Sequence, residues 1–147
     1  GNMLIGAMLA GKAFANSPVA AVHALAYPIG GTFHISHGLS NSLVLPYVLR
    51  FNSVDVKAAK NYAELAPYVF PKLDINKGTQ AVCAEFIDKL EDLSKRLGLP
   101  QKLREVDIPK DACEKMASDA MKQTRLLVNN PREVTEADAL NIYQSAW

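Results

Sequence analysis

Residues 22–52 read VHALAYPIGGTFHISHGLSNSLVLPYVLRFN, and all three histidines of the chain fall in this stretch, at 23, 34 and 37. Two apolar runs flank Gly30-Gly31. A packed interior has little use for imidazole, a polar ring that needs a hydrogen-bond partner when buried. The flanking runs nevertheless have helical spacing. Val19, Val22, His23 and Ala26 recur on one face after Pro18, a residue suited to a helix start. Tyr27-Pro28 predicts the end of that helix, because the residue before proline avoids the helical region. Gly30-Gly31 then reads as a flexible turn. From Gly38 to Asn52 apolar groups surround a further helix, which Pro46 should kink by removing the bond to the carbonyl of Ser42. A helix apolar all round belongs in the middle of a domain.

Working outward, the same period holds. Residues 3–15 mix small and medium apolar groups, so this helix is expected to lie against neighbours on several sides. Ser53 is a candidate N-cap for a helix through Ala66. Thr79 to Leu97 carries a stripe of Val82, Phe86, Leu90, Leu93 and Leu97, with Glu85–Lys89 and Glu91–Lys95 as exposed pairs; Gly98 and Pro100 stop it. A helix is expected from Asp111 to Leu126. The last begins at Thr135, where Asp138 completes a capping box with Asp in the place of Glu. No run alternates with period two. The reading is all-α, a helical bundle of about seven helices forming one domain over residues 1–147.

The totals exclude several functions. A net charge of +1 gives no reason for a nucleic-acid or acidic-lipid partner. Cys83 and Cys113 match no zinc or redox spacing and are expected as reduced, buried thiols, which points to a cytoplasmic protein. Lys12, Asn16, Ser17 and Pro18 interrupt the opening apolar run before it reaches the roughly 20 residues a membrane span needs. The chain opens inside a helix with no polar lead-in, so a truncated start is expected.

The histidines suggest a metal. His23 has the small neighbours Ala20, Ala24 and Ala26, which leave room for an ion, and His37 stands at the mouth of the next helix. A turn at Gly30-Gly31 would let both rings face one point. Neutral imidazole suits iron, zinc, nickel or copper. Two ligands are too few, since zinc takes about four, and no Asp or Glu occurs before Asp55. Either His34 is a third ligand or the others come from elsewhere; a pocket-lining or surface position is the reading preferred for His34.

These residues resemble the metal-binding signature of the iron-containing (group III) alcohol dehydrogenases. AMLAGKAFANS, RLGLPQKLREVDI and NNPREVTEADALNIYQSAW are similar to flanking segments of the same family. The match covers the family's helical C-terminal domain. The resemblance implies that His23 and His37 are two metal ligands, with an Asp and a His from a preceding segment completing the set. It implies Fe2+ as the metal, with Zn2+ as the alternative, NAD(P) bound mainly by an N-terminal nucleotide-binding domain, and a small alcohol or aldehyde as substrate. Tyr27 replaces the family's common middle histidine and would lie at the nicotinamide; with a reference pKa of about 10 tyrosine donates a hydrogen bond but shuttles protons poorly. Gly38 is expected to allow a close backbone approach, Asn41 to hold the turn through backbone hydrogen bonds, and Phe33 to line the pocket or the core. The face over residues 85–96 is expected to be only solvated. The chain alone is expected to be inactive and to self-associate through its first helix. The alternative is a stand-alone metal-binding or protein-interaction module that reuses the fold.

Overall fold

The computed structural model describes residues 1–147 as eight α-helices and two single-turn 3-10 helices, with no strand. The helices are α1 (Asn2–Asn16), α2 (Ala21–Phe33), α3 (His37–Asn52), α4 (Val56–Val69), α5 (Thr79–Arg96), α6 (Ala112–Met121), α7 (Thr124–Leu127) and α8 (Glu136–Ala146). The 3-10 turns are Ile75–Lys77 and Leu103–Val106. The all-α expectation holds. The count rises from about seven because the predicted helix over 111–126 breaks at Lys122-Gln123 into α6 and α7.

The main core joins α2, α3, α6 and α8. Leu25 and Ile29 of α2 pack with Leu43, Val44 and Val48 of α3, with Met116 and Ala120 of α6, and with Ile142 and Tyr143 of α8. Two smaller clusters lie between α4 and α5, around Phe86 with Leu73 and around Ile87 with Ala59 and Cys83. Both cysteines are free and buried, and burial pushes each thiol pKa up, as expected for inert apolar packing.

Several boundaries differ from the sequence reading, each for a packing reason. Pro28 does not end α2, which runs on to Phe33. Pro28 and Ile29 are buried and Phe33 packs on the core, and this burial offsets the bond lost at Ala24. Gly30 and Gly31 are therefore helical, and the turn is made instead by His34, Ile35 and Ser36, with His34 in the left-handed region at φ 57°. Ser53 closes α3, its hydroxyl donating to the Arg50 carbonyl, while Asp55 caps α4 by accepting from the Ala58 amide. The α5 stripe is buried at Val82 and Phe86 but exposed at Leu97, beyond the helix end. The charged face of α5 is not merely solvated: Arg50 of α3 reaches Asp88 and Glu91, so Glu91 pairs across helices and not with Lys95. Glu85–Lys89 forms as expected at 3.6 Å.

No single helix is long and apolar enough to cross a membrane. The largest departure is α1. It meets α2 at 110° and no residue in it is buried, with Met3 88% and Leu4 75% exposed. The expected neighbours on several sides do not come from these residues.

The C-terminal segment ties the bundle together. The Thr135 hydroxyl accepts from the Asp138 amide and the Asp138 carboxylate accepts from the Thr135 amide, completing the predicted capping box. The side-chain amides of Asn52 and Asn130 pair in both directions, at 3.1 and 2.7 Å. The buried Tyr143 hydroxyl donates to the Leu25 carbonyl at 2.6 Å, and burial raises its pKa far above the usual tyrosine range. This bond fixes α8 to the middle of α2. Tyr143→Phe is expected to lower stability by about 1 kcal/mol, the usual net worth of one hydrogen bond, read from the urea midpoint at unchanged slope.

Candidate metal centre

His23 sits in the first turn of α2 and His37 is the first residue of α3. A simple antiparallel return would leave His37 beside the end of α2, far from His23. The chain instead folds back along α2 over Gly30. A Cβ built on Gly30 would lie 3.2 Å from the Ile35 carbonyl oxygen and 3.6 Å from Ser40 Oγ. The buried Ser40 hydroxyl locks this turn, its oxygen lying 3.0 Å from the Ser36 carbonyl and 3.3 Å from the Ile35 carbonyl. Across this turn the His37 ring reaches the rings of His23 and Tyr27 on α2.

The result is a cluster of three rings. His23 and His37 have ring centroids 5.1 Å apart with planes tilted by 52°. Tyr27, one helical turn after His23, has its centroid 6.2 Å from that of His37. Four residues apart within α2, His23 and Tyr27 share one face of the helix. The pKa of His23 is lowered, first by burial and then by repulsion from His37, so the ring favours its neutral form. A neutral ring keeps a lone pair for a cation.

The donor set fits part of a metal site. Two imidazoles that each bind one ion at about 2.1 Å carry their centroids roughly 5 Å apart, which the observed spacing matches. No group of three or more His, Cys, Asp or Glu side chains converges anywhere in the chain. His34 does not join the pair; it is exposed and serves as the left-handed residue that ends α2. The shortage of ligands counted in the sequence therefore persists in three dimensions.

Asn41 is the residue the sequence reading placed wrongly. Its Nδ2 lies 3.1 Å from His37 Nε2, and the turn is held by Ser40 instead. Its Oδ1 is buried without a hydrogen-bond partner. Turned over, the same amide would offer Oδ1 to a ring N–H, which would settle the His37 tautomer and leave the other nitrogen's lone pair free for a cation. The spacing of His37 and Asn41, one helical turn, was the available signal. Gly38 has open space around its Cβ position, so no close approach requires glycine there. Phe33 packs against the main core.

The molecule is thus an all-helical bundle that brings two imidazoles together between α2 and α3. The Fe-containing alcohol dehydrogenase family, C-terminal, matches residues 1–147, and the chain belongs to that family. A long-chain-alcohol dehydrogenase of Geobacillus thermodenitrificans is 40% identical over 99% of this chain and 36% of its own length. Lactaldehyde reductase of Escherichia coli is 30% identical over 99% of this chain and 37% of its own. Among solved structures, an alcohol dehydrogenase from Oenococcus oeni superposes with a TM-score of 0.87 at 30% identity, over 95% of this chain and 36% of that one. The chain thus spans little more than a third of the length of the curated relatives it matches.

If the two rings share one ion, His23→Ala and His37→Ala should each weaken Zn2+ binding at pH 7 by more than about tenfold, by analogy with the loss of an outer-shell partner, while His34→Ala should leave it unchanged. Isothermal titration of the three variants checks this.

Proposed function

We propose that residues 1–147 form one helical domain, the metal-holding part of an NAD(P)-linked alcohol dehydrogenase that interconverts small alcohols and aldehydes. The observation that carries the reading is the pair of imidazoles 5.1 Å apart on α2 and α3, in a chain of the Fe-containing alcohol dehydrogenase family. The related proteins named above are alcohol dehydrogenases and an aldehyde reductase.

His23 and His37 would hold the ion, iron by the family's name, with zinc suited to the same ligands. When bound, the ion supplies Lewis-acid polarisation of an alcohol or aldehyde oxygen. Two further ligands come from outside the residues described, as does most of the nucleotide site. Tyr27 is 47% exposed on the same face as His23. Its hydroxyl orients the reacting group or the nicotinamide by donating a hydrogen bond, and its ring screens one side of the imidazole pair from water. The exposed apolar face of α1 is the surface for the nucleotide-binding part or for a second copy.

The test uses the full encoded polypeptide, loaded with Fe2+ or Zn2+, with primary alcohols and NAD+ or NADP+. Reduction of the nicotinamide is expected, and His37→Ala should lower kcat/KM by more than about a hundredfold, beyond the loss from an outer-shell partner. Residues 1–147 alone should give no turnover above a His23→Ala control. Full activity of the His37→Ala protein would contradict the reading.

A further inference from the structure

The break between α6 and α7 opens a cleft that the metal pair does not use. Its walls are Tyr27 of α2 together with Lys122, Gln123, Thr124, Arg125 and Leu126. Tyr27 therefore stands between two features, with the His37 ring 6.2 Å away and this cleft as the other. No carboxylate lines the cleft, and its two cations differ. Lys122 Nζ lies 2.6 Å from one oxygen of Asp119, whose other oxygen is held at 2.6 Å by Lys115. The two lysines share this one carboxylate and keep its pKa at about 2, so Lys122 is paired but the trio retains one net positive charge. None of the salt bridges in the molecule involves Arg125.

The backbone of Arg125 is anchored, while its side chain is exposed. Asn129 Nδ2 donates to the Arg125 carbonyl at 2.9 Å and to the Val19 carbonyl at 3.1 Å, which ties the short α7 to the segment leading into α2. A guanidinium without a carboxylate partner recognises a planar anion through two parallel hydrogen bonds. A single free cation suits a monoanion. Phosphate groups of a nucleotide usually take a nest of backbone amides or several cations; here Lys122 is held by Asp119, which leaves Arg125 as the one cation of the cleft without a carboxylate partner. Leu126 and the Tyr27 ring give the cleft an apolar side for a short carbon chain, and Gln123 and Thr124 add neutral polar groups.

We propose that this cleft binds the carboxylate of a short hydroxy acid on Arg125, with the hydroxyl end of the same molecule reaching past Tyr27 to the His23–His37 pair. The alcohol end rests on the function proposed above; the acid end rests on the cleft alone. Arg125 is then the residue that selects acid-bearing alcohols over uncharged ones.

Pentanoate titrated into the 147-residue chain tests the acid end without metal or turnover. Amide signals of Thr124 and Leu126 and ring signals of Tyr27 are followed by NMR. Saturable shifts are expected with pentanoate and none with pentanol. Arg125→Gln should weaken pentanoate binding by about tenfold or more, the worth of a hydrogen bond to a charged group. Lys122→Gln should weaken it less. The proposal is overturned if pentanoate shifts nothing, if Arg125→Gln binds as well as the parent, if Lys122→Gln costs more than Arg125→Gln, or if adenosine monophosphate shifts these signals and pentanoate does not. Loss of pentanoate binding would leave the alcohol-oxidation reading intact. Failure of alcohol oxidation would leave the anion site standing.

Discussion

At Gly30 the turn after α2 lies so near the helix that even a methyl group would crowd the Ile35 carbonyl at 3.2 Å. That approach decides where α3 begins. It carries His37 back along α2 to His23, and the Ser40 hydroxyl, bonded to the same turn, keeps it there. Without it, two histidines fourteen residues apart in sequence would have no reason to meet. Gly31 has nothing within 4 Å of its Cβ position, so the neighbouring glycine bears no such constraint. The remaining architecture holds this crossing still. Tyr143 pins α8 to α2 through the Leu25 carbonyl, and the Asn52–Asn130 amide pair joins the end of α3 to the loop before α8.

Much of the fold was legible wherever one local signal and the packing agree. The α5 stripe, with acidic and basic residues on its outer face, gives its helix within a residue at each end. Thr135 and Asp138 announce a helix start that forms with both capping bonds. Legibility fails where tertiary packing opposes a local rule. Pro28 signals a stop, but Ile29 and Phe33 beyond it have core surface to bury, and α2 continues. Which of two adjacent glycines matters cannot be read from the pair, because the crowding at Gly30 comes from the way the following turn folds back, at Ile35. For α1 the composition is that of a covered helix, and composition does not say which residues supply the cover.

The candidate site divides the same way. The resemblance carried by residues 22–52 named His23 and His37, and the structure brings their rings together. Counting acidic residues already showed that the set is short, and no third ligand joins the pair. Asn41 was assigned to the turn, yet it contacts the His37 ring, because one helical turn separates them and the backbone bonds of the turn go to Ser40. The cleft around Arg125 was invisible in the sequence. It exists because the helix expected over 111–126 breaks at Lys122-Gln123, beside a tyrosine nearly a hundred residues earlier.

The central claim is geometric: close packing at Gly30 is what holds the His23 and His37 rings side by side. Proton–proton cross-relaxation between the two imidazole rings measures that contact directly, with no metal needed. A cross-peak is predicted in the parent chain and in Gly31→Ala, and its loss is predicted in Gly30→Val, whose side chain must push the returning turn away. An absent cross-peak in the parent chain, or one that survives Gly30→Val unchanged, would contradict the account.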